Sequence, residues 1–364
     1  MRDGKIGFGV VGTGMAGGIH AAEFPFVKGA ELVAACSRNE ANLREFAATF
    51  GVPEIYTDYR ELIDSPTVDV VIVLVPTGLH KEVATYAARA GKHIIVEKPL
   101  DINLQRADAI ITECQKAGVK LGVIFQMRFG KVAHAVKKAV EDGALGKIFL
   151  ADAFDKASRT KEYYESAAWR GTLDLEGGGC LMTQSIHIVD LLQHVVGPIT
   201  SVVGEVATMR HDIEVEDTAI ALVNFENGAK GVIESTSSVS PALKSNLQIH
   251  GTRGTIVANA QYDQILFWDV ENYPCPIPVE TCVKLGDIDD PWDYPQTRHR
   301  IQIQDMVDAI HEGRDPILTG EDARRALAID MAIYESSRTG RRVFLNEAPY
   351  LPPFGEKDSK LIIR

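Results

Sequence analysis

Along the first 125 residues, short apolar runs alternate with longer stretches in which apolar residues return every three or four positions. The runs KIGFGVVG (5–12), ELVAACS (31–37), VDVVIVLVP (68–76), KHIIVEKP (92–99) and KLGVIFQ (120–126) are apolar almost throughout. That pattern predicts strands buried on both faces. NEANLREFAATFG (39–51), HKEVATYAARAG (80–91) and LQRADAIITECQKAG (104–118) carry the helical period, and the first two close on Gly51 and Gly91, as helices commonly do. Strands alternating with helices predict a parallel sheet with helices on both faces.

Beyond about residue 145 the rhythm becomes one of alternate residues. DTAIALVNFENGAKGVIESTSS (217–238) and NLQIHGTRGTIVANA (246–260) read as antiparallel strands, with Glu226-Asn227-Gly228 as a hairpin turn. Helices are expected at 131–143 and 180–195, and again over 299–339. The stretch 271–296, with its five prolines, reads as a long loop or flap. This divides the chain into 1–125, with the strand–helix alternation; 126–298, with the alternating strands; and 299–364, C-terminal helices and tail expected to pack back on the others.

The 364 residues suffice for two domains with well-buried cores. A formal net charge of −12 excludes a general nucleic-acid or anionic-membrane surface, though a local basic pocket for an anionic substrate stays possible. The five cysteines, Cys36, Cys114, Cys180, Cys275 and Cys282, form no CxxC pair and no zinc-spaced set with histidine. A reducing, cytoplasmic setting without a metal is therefore expected. The N-terminus passes directly into a strand without a signal-like segment, and the apolar run Val70–Val75 is far too short to span a bilayer.

The first strand ends in Gly12-Thr13-Gly14-Met15-Ala16-Gly17, a G-x-G-x-x-G string at a strand-to-helix turn. Glycines there let the chain turn tightly and let a pyrophosphate reach the N–H groups at a positive helix end. Gly12, Gly14, Met15 and Ala16 are accordingly expected to hold a dinucleotide. The second strand ends Cys36-Ser37-Arg38, with no acid for the ribose 2′-hydroxyl. Ser37 and Arg38 suit a 2′-phosphate instead, which favours NADP(H) slightly over NAD(H).

At this point the chain resembles the Gfo/Idh/MocA family, relatives of glucose–fructose oxidoreductase and inositol dehydrogenase. The resemblance rests on GVVGTGMAGGIH (9–20), VPTGLH (75–80), VEKPL (96–100), QMRF (126–129), WRGTLDLEGGGCLMTQSIHIVDLL (169–192) and GEDARRALAIDMAIYESSRTGRRVFL (320–345). It implies an N-terminal Rossmann doubly wound parallel sheet plus a C-terminal α/β domain with a large open, mostly antiparallel sheet. It also implies homodimers or homotetramers assembled through that sheet, and hydride transfer between NAD(P) and a sugar or polyol.

By the same resemblance Lys98, in Glu97-Lys98-Pro99, stands between nicotinamide and substrate, and Pro76, Thr77 and His80 shape a loop beside the cofactor. The family's stretch after Gly177-Gly178-Gly179 carries an aspartate and, four residues on, a histidine. Here His187 matches the histidine, but Thr183 takes the aspartate's place. Threonine can hydrogen-bond but cannot act as a base. Branches resembling nucleotide-sugar uronate dehydrogenases make a similar replacement, together with a pattern like Tyr163-Tyr164 and Trp169-Arg170-Gly171-Thr172. The expected chemistry gives the hydroxyl proton to His187, whose ordinary pKa suits neutral pH, and the developing alkoxide to Lys98. The three glycines are expected to let nicotinamide and sugar approach the turn.

Arg128 and Arg170 are candidates for substrate hydroxyls or a carboxylate, Tyr164 and Trp169 for a sugar face, and His299 for entry from the last long helices. Asp190 reads as structural. Beside the oxidoreductase stand two alternatives: a redox-neutral NAD-dependent lyase or glycosidase, and a non-catalytic cofactor-sensing regulator.

Overall fold

The computed structural model describes residues 4–261, 263–279 and 297–345. Cys282, and the part of the proline-rich stretch from 280 to 296, lie outside them. Among the described residues the chain forms two compact units, 4–125 with 297–324 and 126–279 with 325–345.

The first unit is a six-stranded parallel sheet in the order β3-β2-β1-β4-β5-β6. Its strands are β1 (Ile6–Val11), β2 (Ala30–Cys36), β3 (Glu54–Tyr56), β4 (Val70–Val73), β5 (His93–Val96) and β6 (Leu121–Val123). Phe8, Val10, Val70, Ile72, Ile94 and Val96 are wholly buried, which is why these strands read as unbroken apolar runs. The three-residue β3 is an addition to the expected set, too short to carry a period of its own. The helices are α1 (Met15–Glu23), α2 (Glu40–Phe50), α3 (Tyr59–Asp64), α4 (His80–Arg89) and α5 (Leu104–Ala117). Asn39 caps α2 and Asn103 caps α5 at their N-termini, and each closes on a left-handed glycine, Gly51 and Gly118. Helix α9 (Thr297–Glu312) completes this unit: Ile303, Met306 and Val307 enter the core with Phe8, Val10 and Ile72, and Gln302 donates to the Val123 carbonyl at 2.9 Å.

The second unit contains α6 (Lys131–Glu141), α7 (Lys161–Glu165), α8 (Ile186–Val196) and most of α10 (Gly320–Thr339). Its sheet has eight strands: β7 (Ile148–Ser158), β8 (Ile199–Ala207), β9 (Thr218–Phe225), β10 (Lys230–Thr236), β11 (Ser238–Gly251), β12 (Gly254–Asn259), β13 (Gln264–Val270) and β14 (Val343–Phe344). The order is β13-β12-β11-β7-β10-β9-β8-β14, and only β7 and β10 run parallel. The expected turn between β9 and β10 is present, with Gly228 at φ 89° and the Asn227 side chain accepting from the Ala229 N–H at 3.0 Å.

The two faces of this sheet differ. Ala151, Ala153, Ala219, Ala221, Ile233, Leu247, Ile249, Ile256 and Ala258 are buried on one face, where α10 reaches β8 through Ser336, which accepts from the Gly204 N–H at 3.0 Å. On the other face Val203, Ile220, Leu222, Val232, Phe154, Val257 and Phe267 project in register. Ile220, Leu222 and Phe267 are 52%, 57% and 48% exposed. That is a broad apolar surface for a protein to leave bare.

Cys36, Cys114 and Cys180 are buried free thiols and Cys275 is a half-buried one. Among the described residues no helix is long and apolar enough to cross a membrane.

Candidate active-site elements

The strand order of the first unit reverses between β1 and β4, so α1 and α4 leave their strands on opposite faces and a crevice opens at the strands' carboxyl ends. The Gly12–Gly17 turn lies at that edge. Gly12 has φ 115°, and a Cβ there would stand 2.5 Å from the Leu74 carbonyl oxygen. A Cβ on Gly17 would stand 2.6 Å from the oxygen of Gly12, so only glycine lets α1 seat against its own turn. Gly14, by contrast, is exposed and has nothing within 4 Å of its missing Cβ. It caps α1 without a side-chain acceptor, and the first turn of α1 holds no acid. Open N–H groups at a positive helix end fit a dinucleotide pyrophosphate. Met15 is 62% exposed beside them and Ala16 half-buried. The end of β2 pairs with the end of β1, the Gly12 N–H donating to the Cys36 carbonyl at 2.9 Å, which brings Ser37 and exposed Arg38 to the same edge.

Lys98 follows β5 at this edge, and its bond to Pro99 is cis. The Glu97 carboxylate accepts from the Lys98 N–H at 3.1 Å and pairs with His20 Nε2 at 2.9 Å. Burial works against ionisation of Glu97, but the His20 hydrogen bond and the nearby His20, His299 and Lys98 outweigh it and bring its pKa down to about 2. Its share of stability is thus present above about 4.5 and is lost as pH falls through about 2. His299, from α9, lies edge-on to His20 with ring centres 5.1 Å apart, and the donor atoms of His20, Glu97 and His299 all fall within 4.8 Å of one another.

His80 is buried at the start of α4. One ring nitrogen faces the Val75 carbonyl at 2.9 Å and the other faces those of Pro99 at 3.0 Å and Leu100 at 3.3 Å. Burial pushes its pKa down, while the Asp101 charge and these carbonyls oppose the shift. The imidazole therefore staples the loop after β4, with half-buried Pro76 and buried Thr77, to the loop carrying Lys98; its ring nitrogens point at main chain.

In the second unit, Leu181–Ser185 form a π-helical turn that runs into α8, so Thr183 and His187 belong to two kinds of helix rather than one continuous α-helix. The glycines have a different reason from the one the sequence suggests. A Cβ on Gly179 would lie 1.6 Å from the Glu216 carbonyl oxygen, and one on Gly178 would lie 2.3 Å from the Tyr334 hydroxyl. What comes close to this turn is the chain's own interior. The Glu216 carboxylate accepts from the N–H groups of Gly179 at 2.7 Å and Leu181 at 2.9 Å and from the Tyr334 hydroxyl at 2.9 Å, while the Glu216 carbonyl accepts from the Cys180 N–H at 3.0 Å. The Thr183 hydroxyl donates to the Gly179 carbonyl at 2.8 Å, and His187 is buried.

Burial raises the Glu216 carboxyl to about 7, against the pull of those donors. Asp330 on α10 is wholly buried, with neither carboxyl oxygen hydrogen-bonded, and burial and the charge of Glu216 hold it far above the usual carboxylate range.

Arg128 meets the carboxylate of Asp190 rather than presenting its fork to open space: Nε and Nη2 lie 2.6 and 2.5 Å from the two oxygens, and both side chains are largely buried. Arg170 is half-buried, its guanidinium carbon 4.1 Å from the Tyr163 ring centre and 4.6 Å from that of Trp169. Arg159 lies over the same Tyr163 ring at 4.9 Å and donates to Gln184, the neighbour of Thr183. Tyr164 hydrogen-bonds Ser237 at 2.9 Å. Glu216, Asp330, Tyr334 and His20 escape a reading of the sequence because the groups they meet are remote in the chain. An acid inside the apolar run ALAIDMAIY is the one visible signal.

Comparison with known proteins agrees with this architecture. Residues 6–125 match the family model described as "Oxidoreductase family, NAD-binding Rossmann fold", and residues 133–257 match the "GFO/IDH/MocA C-terminal domain". A myo-inositol 2-dehydrogenase of Thermotoga maritima is 29% identical over 360 residues, covering 95% of this chain and 99% of that protein. The WlbA dehydrogenase of Bordetella pertussis, solved with NADH and UDP-GlcNAcA, superposes with a TM-score of 0.85 at 30% identity over 94% of this chain and 99% of that one. The Chromobacterium violaceum WlbA dehydrogenase, with the same ligands, gives 0.84 at 27% identity over 94% and 97%. The chain belongs to the Gfo/Idh/MocA family of oxidoreductases and is an enzyme of the sugar and polyol dehydrogenase kind.

Because the folded-state pKa of Glu216 is raised, its protonation contributes stability fully below about 4.5 and loses it as pH rises through about 7. Glu216→Gln removes that titration. Chemical denaturation at mildly acidic and mildly basic pH should show the wild type losing on the order of 2–3 kcal/mol more than the variant across the interval. Equal losses would refute the assignment.

Proposed function

We propose that the chain catalyses reversible hydride transfer between NAD(P) and a secondary alcohol of a sugar acid or nucleotide sugar. The supporting observation is the aromatic and cationic cluster beside the Thr183 turn. Arg159 and Arg170 both stack on Tyr163, Trp169 lies under Arg170, and Gln184 ties Arg159 to the turn. Two guanidinium groups suit an anionic sugar, through a carboxylate or phosphate, and the neutral Thr183 adds no opposing charge. The UDP-GlcNAcA bound by the WlbA relatives is such a compound, whereas the inositol of the Thermotoga maritima enzyme's name is neutral.

In this reading His187 takes the hydroxyl proton as hydride leaves the carbon, Lys98 stabilises the alkoxide, and Thr183 hydrogen-bonds the substrate. The cofactor supplies the hydride chemistry; the chain seats it through Gly12, Gly14, Met15 and Ala16. Arg128, held by Asp190, shapes the substrate site from behind, and Trp169 and Tyr164 flank the sugar. A nicotinamide absorbance screen of uronates, nucleotide uronates, neutral sugars and inositols should give the highest kcat/KM with an acidic substrate. Arg170→Ala should raise its KM about tenfold with kcat little changed. Preference for a neutral polyol, indifferent to Arg170, would overturn the anionic-substrate reading.

Ser37 and exposed Arg38 at the end of β2 suit a 2′-phosphate by their chemistry, so we assign NADP(H) as an accepted and slightly preferred cofactor beside the NAD(H) of the relatives. Arg38→Ala should raise KM for NADP(H) about tenfold and spare NAD(H). Equal effects on both coenzymes would remove the phosphate pocket.

The bare face of the eight-stranded sheet supports self-association, with a second copy covering Ile220, Leu222 and Phe267. Light scattering should find a dimer or tetramer for the wild type and a monomer for Leu222→Asp. A monomeric wild type would contradict this arrangement.

A further inference from the structure

The buried pair His20–Glu97 has no part in the chemistry assigned above, yet it is built with care. His20 is wholly shielded from solvent although it carries a polar ring. It stands in the last turn of α1, the helix whose first residues form the pyrophosphate cradle. Its Nε2 reaches Glu97 Oε1 at 2.9 Å, and the second oxygen of that carboxylate receives the main-chain N–H of Lys98 at 3.1 Å. The Glu97 N–H in turn donates to the Val73 carbonyl at 3.1 Å, continuing the sheet by one residue beyond β5. A carboxylate bridging an imidazole and a peptide N–H fixes that peptide's plane, and with it the direction in which the next side chain departs.

We propose that His20 is a positioning residue for Lys98: through the Glu97 carboxylate it ties the cofactor-cradling helix to the peptide that aims the lysine. The proposal rests on the catalytic reading of Lys98. One rigid helix then carries the dinucleotide contact at one end and the anchor of the lysine loop at the other, so seating the cofactor and aiming the ammonium become a single adjustment. Downstream, His80 on Pro99 and Leu100 holds the far side of the same loop.

Two substitutions and a double-mutant cycle test this. His20→Ala removes the donor; His20→Gln keeps an N–H donor near the place of Nε2. His20→Ala should lower kcat about tenfold, with the KM of the sugar and the NADH affinity measured by fluorescence shifting less than about threefold. His20→Gln should recover most of the rate. In a Lys98→Ala background, His20→Ala should cost nothing further, because its effect passes through the missing ammonium. Losses that add in the double variant would overturn the proposal, as would a His20→Gln protein that folds with normal melting behaviour and is no faster than His20→Ala. If Lys98→Ala alone keeps the wild-type rate, the catalytic reading of Lys98 fails instead, a result distinct from either.

Discussion

The segment that carries Lys98 and the glycine turn that leads to Thr183 and His187 lie outside ordinary strand and α-helix ladders, and their main-chain N–H groups need acceptors that no neighbouring strand provides. Buried carboxylates supply them. Glu97 takes the Lys98 N–H, and Glu216 takes those of Gly179 and Leu181. Asp101 takes those of Lys81 and Ile102, and Asp217 takes those of Met209, Arg210 and His211. Where the acceptor is ionised, as at Glu97, such a bond is worth about 1.5–3 kcal/mol, and losing the acceptor leaves a buried donor unsatisfied. A loop held this way keeps its shape without a regular ladder, which is what a catalytic side chain at its tip requires.

The same device titrates in opposite directions in the two units. Glu97 has an imidazole partner and lies near Lys98 and His299, so it stays ionised down to about 2. Glu216 is buried and has only uncharged donors, and burial outweighs them, so its proton leaves near 7. The Glu97 carboxylate is therefore charged at neutral pH, whereas Glu216 beneath the glycine turn loses its proton near it. Thr183 and His187 follow that turn in the chain.

Much of this was legible in the chain. The unbroken apolar runs disclosed the parallel sheet, because strands buried on both faces have no polar positions to alternate with. The glycine string disclosed the cradle, because Gly12 and Gly17 each occupy space that a side chain would fill with backbone. The glycine triplet was legible as a close approach but not as to what approaches: Glu216 and Tyr334 lie 37 and 156 residues beyond Gly179 and Gly178, and no local pattern links them. Arg128 reads as a substrate ligand until the carboxylate of Asp190 is seen across it. Residues whose role is set by the local backbone can be read from order alone; those set by a remote partner cannot.

The account turns on Lys98 as the group proposed to meet the negative charge that develops on the sugar oxygen as its proton leaves, and that hydride departure then turns into the carbonyl. Its most direct measurement is the single-turnover rate of nicotinamide reduction, with cofactor and sugar saturating, in the wild type and Lys98→Ala. The account predicts a fall of about 100-fold or more in that rate with NADH affinity little altered. A variant that reduces nicotinamide at the wild-type rate would contradict it.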